Sequence, residues 1–153
     1  MIELDPIAKE KLERALARKG LRSTRQREQV FAVVYGSDDH PAADVVYQRV
    51  KNSVPGISLA TVYNCLETLS DCELIRQVNF EREPSRFCLN KEHSLHHAHF
   101  HCRDSGKVID VDLPNDFIEN LSQFLPGGYR IDKIDLTLSG TSAENQRKFI
   151  TNG

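Results

Sequence analysis

Ser58-Leu59-Ala60-Thr61-Val62-Tyr63-Asn64-Cys65-Leu66-Glu67-Thr68-Leu69-Ser70-Asp71 is the stretch on which the fold turns. Leu59, Val62, Leu66 and Leu69 recur at intervals of three, four and three, the spacing of one helical face. Ser58 has the side chain of a good N-cap. The spacing therefore predicts a helix over 59–71. Thr61, Asn64, Glu67 and Thr68 fall away from the apolar stripe, and Tyr63 flanks it. In a helix-turn-helix the second helix enters the DNA major groove and offers the side chains near its start to base edges. Thr61, Tyr63 and Asn64 stand there, and an Asn amide pairs well with adenine.

Working backwards, residues 42–52 predict a shorter helix with Val45, Val46 and Val50 inward, broken by Val54-Pro55-Gly56. The turn Gly36-Ser37-Asp38-Asp39-His40-Pro41 precedes it. Thr24 caps a helix running to Tyr35, with Val30, Phe31, Val33 and Val34 on its apolar side. Pro6 opens a first helix over 6–19, with Ile7, Leu12, Ala15 and Leu16 on one face and Gly20 as its stop. Working forwards, strand-like segments at 74–80 and 85–90 flank a tip at Glu81-Arg82-Glu83-Pro84. Helices followed by such a hairpin make a winged helix-turn-helix over residues 1–90.

The second half centres on His96-His97-Ala98-His99-Phe100-His101-Cys102, which holds four of the six histidines. On a strand, side chains alternate faces, so His97, His99 and His101 share one and His96, Ala98, Phe100 and Cys102 the other. A row of imidazoles against a partly apolar face suits a sheet that buries one side. Imidazole is the commonest side-chain metal ligand, and it binds Zn, Fe, Ni and Cu. Arg103-Asp104-Ser105-Gly106 is a turn. Val108, Asp110 and Asp112 then alternate with Ile109, Val111 and Leu113, giving one acidic face. A helix over 114–125, a strand over 129–138 with a bulge at Lys133-Ile134, and a short helix over 141–150 complete the chain. The fold class is α+β: a winged-helix DNA-binding domain over 1–90, a hinge at 91–95, and a small α/β domain over 96–153 that carries the histidine cluster.

Composition narrows the function classes. The 153 residues are 39% hydrophobic and 27% charged, with a net charge of −2, so no global basic field announces nucleic acid. The total hides a local bias: Arg14, Arg18, Lys19, Arg22, Arg25 and Arg27 fall in a stretch with no acid. No run of 18 apolar residues predicts a membrane span. The first residues lack the pattern of a secretory signal, and the four cysteines show no Cys-x-x-Cys spacing. They read as thiols of a cytoplasmic protein, with Cys65 and Cys72 as small core residues. A His-x-His pair with a carboxylate also fits a small metalloenzyme, although the N-terminal half is then unexplained. A metal-independent regulator with a degenerate site is the third reading.

The order of motifs resembles the ferric uptake regulator (Fur) family. The resemblance rests on Gly20-Leu-Arg22-Ser-Thr24-Arg-Gln-Arg27, His40-Pro41-x-Ala43-x-x-Val-Tyr47 and Ile57-Ser-Leu-Ala-Thr61-Val-Tyr63-Asn64-x-Leu66. It continues through Ser85-Arg86-Phe87 and His96-His97-x-His99-x-x-Cys102-x-x-x-Gly106-Lys107-Val-Ile-Asp110. It spans about residues 10–140, and implies a homodimeric, metal-responsive transcriptional repressor and no enzyme. The partner would be a palindromic double-stranded DNA operator, met by Arg22, Thr61, Tyr63 and Asn64. The implied metal ligands are His40, Cys88, His97, His99 and Asp110, drawn from both domains. A structural zinc with two Cys-x-x-Cys pairs, frequent in the family, is not expected, because Ser105 follows Cys102 at that spacing and no later cysteine exists. The positions of a second metal site hold Ala98, Phe117 and Ile134, so the resemblance implies one divalent metal per protomer. Cys88 stands where iron and peroxide sensors carry an acid, whereas zinc sensors have a cysteine nearby. Asp110 and Asn64 resemble the peroxide-sensing branch. Fe, Mn and Zn all stay open, and a ligand thiol is itself an oxidation target.

Overall fold

The computed structural model describes residues 1–90, 96–132 and 134–143, with His96 and His97 described by backbone alone. The chain is α+β and divides into two compact units, Met1–Asn90 and Lys91–Gly153.

The first unit runs α1 (Pro6–Arg18), α2 (Arg25–Tyr35), α3 (Ala43–Val50), α4 (Leu59–Asp71), β1 (Ile75–Val78) and β2 (Arg86–Leu89). Side-chain caps set the helix starts. Asp5 Oδ1 accepts from Ala8 N–H at 2.8 Å, Thr24 Oγ1 from Arg27 N–H at 3.2 Å, and Ser58 Oγ from Thr61 N–H at 3.1 Å. Gly20, at φ +71°, ends the first helix in a Schellman turn, with Leu21 N–H bonded to Leu16 C=O and Gly20 N–H to Ala17 C=O, each at 2.9 Å. The helices meet over Leu12, Leu16, Phe31, Val34, Val46, Val62, Leu66 and Leu69, joined by Ile75 and Phe87 from the hairpin. Burying each such side chain stabilises the unit by roughly 1.5–3 kcal/mol. The N-terminal segment is held too: Gln29, buried, both donates to Ile2 C=O and accepts from Ile2 N–H at 2.9 Å.

Three inward assignments change. Ile7 is exposed and Ala8 takes its place in the core. Val45 is only half-buried. Leu59 is 41% exposed, and Cys65 completes the buried stripe with Val62, Leu66 and Leu69. Leu59 is the first residue of its helix and Ile7 the second, whereas Ala8, one position further along, already reaches the core.

In the second unit, β3 (His96–Cys102) lies between β4 (Val108–Val111), antiparallel, and β5 (Ile134–Gly140), parallel. A short α5 (Phe117–Ser122) joins the outer two. His99 pairs across with Asp110 on one side and Thr137 on the other, and Phe100 with Ile109 and Leu138. The imidazole face is not the open one: His99 and His101 are buried, as are Ala98 and Cys102. A central strand has neighbours on both edges, and here side chains on both of its faces are buried, with Phe100 half-buried.

The α5 helix is shorter than the expected 114–125. Its Asp116 makes no side-chain cap, and none of its residues is buried, so neither capping nor packing holds the outer turns. The β5 strand begins five residues later than expected, after Gly128 at φ +94°, and runs on to Gly140 where pairing with Cys102 ends. A Cβ on Gly140 would fall 2.9 Å from Phe100 Cε2, so the ring occupies the space a side chain there would need. The hinge at 91–95, the bulge partner Lys133 and the helix over 141–150 lie outside the described residues.

Candidate functional site

Two pairs of the expected metal ligands come together, one pair in each unit. In the first unit, β2 pairs with β1 on one edge and bridges to the loop after the α2–α3 turn on the other. Ala42 and Arg86 form an antiparallel bridge, and Phe87 N–H donates to Pro41 C=O at 3.0 Å. This fixes His40 beside β2, where Arg86 Nη1 also donates to His40 C=O at 3.4 Å. Phe87 enters the core, and Cys88, next along the strand, takes the other face. A ring nitrogen of His40 and Sγ of Cys88 lie within 4.8 Å of one another, and both residues are buried.

His40 has φ +51°, the left-handed region, directly before a proline. That conformation is rare for a residue with a side chain, although His visits it more than most. The turn is braced by Arg49, which donates from Nη1 to Asp39 Oδ1 at 2.9 Å and to Ser37 Oγ at 3.0 Å, and from Nη2 to Asp39 Oδ2. The guanidinium holds the Asp39 carboxyl below the usual carboxylate range.

In the second unit, the β3–β4 register places His99 opposite Asp110, and His99 Nε2 lies 3.1 Å from Asp110 Oδ1. His99 is 0% exposed and Asp110 48% exposed, so the pair joins a buried imidazole to a carboxylate at the surface. The backbone of His97 pairs with Asp135 on β5. The side chain of His97 lies outside the described residues. Imidazole with thiol in the first unit, and imidazole with carboxylate in the second, are donor types that first-row divalent ions accept.

The remaining thiols have other surroundings. Burial pushes Cys65 and Cys72 above the ordinary thiol range. Cys102 is buried, and a side-chain hydrogen bond with Ser105 holds its thiol below that range.

Of the residues expected to meet DNA, three lie at the start of α4 and one in the loop before α2. Tyr63 is 53% exposed, Asn64 is exposed, and Thr61 is half-buried with its hydroxyl 2.9 Å from Ser58 Oγ. Arg22 is exposed in the loop before α2, and its carbonyl accepts from Arg27 Nη1 at 2.9 Å. Arg25 Nη2 donates to Ser53 C=O at 3.0 Å, tying that loop to the end of α3. Leu59 joins this group unforeseen. It sits one helical turn before Tyr63, so two exposed apolar surfaces adjoin at the start of the helix. The stripe spacing assigned Leu59 to the core; its position directly after the cap was the signal that it stays out.

Similarity to known proteins falls on the same elements. Residues 18–139 match the model of the ferric uptake regulator family. The peroxide-responsive repressor PerR of Staphylococcus aureus is 33% identical over 128 residues, covering 81% of this chain and 84% of that one. A zinc-bound manganese uptake regulator superposes with a TM-score of 0.64 at 29% identity, over 86% of this chain and 98% of that chain. The ferric uptake regulator Fur of Helicobacter pylori superposes with a TM-score of 0.76 at 23% identity over 95% of each chain, which shows the fold.

Proposed function

This chain is a member of the ferric uptake regulator family, a family of regulators and not of enzymes, and from that premise we propose that it is a metal-responsive DNA-binding transcriptional repressor. One observation carries the reading: each unit brings a ligand pair together within itself, His40 with Cys88 and His99 with Asp110, and the first pair belongs to the same unit as the winged helix. One divalent ion per protomer (Fe, Mn or Zn) takes donors from both pairs and from His97. When bound, the ion supplies a cross-link that favours one arrangement of the two units. His40 and Cys88 anchor it on the DNA-reading side, and His99 and Asp110 on the sheet.

The working form is a cytoplasmic homodimer on a palindromic operator. Among the described residues no helix is long and apolar enough to cross a membrane. Dimerisation is supported by the apolar surface of the second unit. Ile109 and Leu138 are exposed on the face of the sheet that carries Phe100, and Phe124, 84% exposed, follows α5. Two copies of α4 held at fixed spacing then meet two half-sites, with Tyr63 and Asn64 at base edges and Arg22 at the backbone.

The test is operator affinity measured by fluorescence anisotropy on a duplex selected from a random pool by the metal-loaded protein. Chelation lowers the affinity by about tenfold or more, a coupling of about 1–3 kcal/mol. His99→Ala lowers it equally with metal present. Equal affinity for wild type and His99→Ala, with and without metal, would overturn the reading.

A further inference from the structure

Helix α4 brings no positive charge to DNA. Lys51 and Arg76 are the nearest cations in sequence on either side of it, and its only charged residues are Glu67 and Asp71. Val62, Cys65, Leu66 and Leu69 fill its buried side. Ala60, Tyr63, Asn64 and Glu67 are all exposed, and they follow one another at intervals of three, one and three. Those intervals put the four on one outward face, with the Glu67 side chain one turn beyond the Tyr63 ring and the Asn64 amide. Among the described residues no hydrogen bond or ion pair engages the Glu67 carboxylate.

In the major groove such a carboxylate is a stringent reader. It accepts hydrogen bonds and donates none. Guanine offers N7 and O6, both acceptors, and thymine offers O4 and a methyl group. Adenine sets its N6 donor beside the N7 acceptor, so a carboxylate there gains one bond and meets a lone pair. Cytosine presents its N4 amino group with no acceptor of its own beside it, and is the base to which an acid fits. The phosphates on either side repel the charge, so a carboxylate that finds no donor weakens binding.

Resting on the reading above, we propose that Glu67 is a specificity-determining residue for the operator, and that it selects a cytosine beside the bases met by Tyr63 and Asn64. Arg22 attracts every sequence alike, as a backbone contact does. Glu67 opposes those that lack the cytosine.

The test selects duplexes from a random pool with metal-loaded wild type, Glu67→Gln and Glu67→Ala, and reads the base preference at each position. Wild type selects one cytosine in each half-site, and replacing it lowers affinity by about tenfold, within the usual cost of a wrong base pair. Glu67→Gln prefers adenine at that position, where an amide pairs with N6 and N7. Glu67→Ala loses the preference there and keeps it elsewhere. It also binds a scrambled duplex more tightly than wild type does, because a repelling charge is gone. Identical preferences for wild type and Glu67→Ala at every position overturn the proposal, even if overall affinity rises. So does a loss of preference at every position in both variants, since Glu67 then supports the helix and reads no base. Either result leaves the metal-responsive reading standing. A wild type that selects no sequence, with or without metal, overturns both.

Discussion

His40 holds an unfavourable backbone conformation, and its neighbours supply what keeps it there. At φ +51° before Pro41, the residue is costly to place. Arg49 bridges Asp39 and Ser37, and Arg86 reaches the His40 carbonyl, so the turn is held from both ends. The Arg49–Asp39 pair is substantially exposed, and its loss costs at most about 1 kcal/mol of stability. Its larger effect is on aim. Arg49→Ala is expected to keep the fold and weaken zinc or cobalt binding by about tenfold, as the loss of an outer supporting partner does. Calorimetric titration beside a thermal melt checks both halves; a lower melting temperature with unchanged metal affinity would rule the bracing role out. The motif around His40-Pro41 was legible in sequence, and so was Cys88. That the two stand beside each other was not, because the bridge through Ala42 and Arg86 is a tertiary contact between residues 44 apart.

The helices were read from caps and stripes, and both signals are local. Thr24 and Ser58 cap as their side chains predict, since an N-cap acts only on the next three residues. Burial was read less well at helix starts, because periodicity says which way a side chain points and not whether anything lies opposite. The strand β3 shows the same limit. Alternation assigned one face to water, and only the assembled sheet reveals that His99 and His101 are enclosed. The cap of α1 carries a pH dependence. Ala8 N–H, then the Tyr35 hydroxyl, hold the Asp5 carboxyl below its ordinary value of 3.8. A carboxyl depressed in the folded state stabilises the protein above its unfolded value, and that contribution disappears as pH falls through the folded one. Thermal melts of wild type and Asp5→Ala are therefore expected to differ by a constant amount at neutral pH and to converge below pH 3.8. A gap that stays constant into strong acid would show that the charge contributes nothing.

At the scale of the molecule, the two units differ in how well they close on themselves. The first has a core from every helix and from the hairpin. The second has a short helix with no buried residue and leaves Ile109, Leu121, Phe124, Leu125, Tyr129 and Leu138 exposed. Such an apolar surface marks an interaction site. Leu138→Asp is expected to shift sedimentation from dimer to monomer and to weaken operator binding, while its melt stays cooperative. A variant that sediments as wild type would move the interface elsewhere. The helical half was legible because its contacts are short in sequence. The bounds of α5 and β5 were missed because β5 is defined by parallel pairing to a strand some 38 residues earlier, as in His96 with Ile134, and no local pattern records that partner.

Gly140 sits at the end of that pairing, with the Phe100 ring lying where its side chain would grow. Phe100 and His99 are successive residues on β3 and face opposite ways. A methyl group added at position 140 would meet the tip of the ring and force it to turn or withdraw. The seat of an aromatic ring, on the residue next to a prospective metal ligand, is thus made by an atom the chain leaves out.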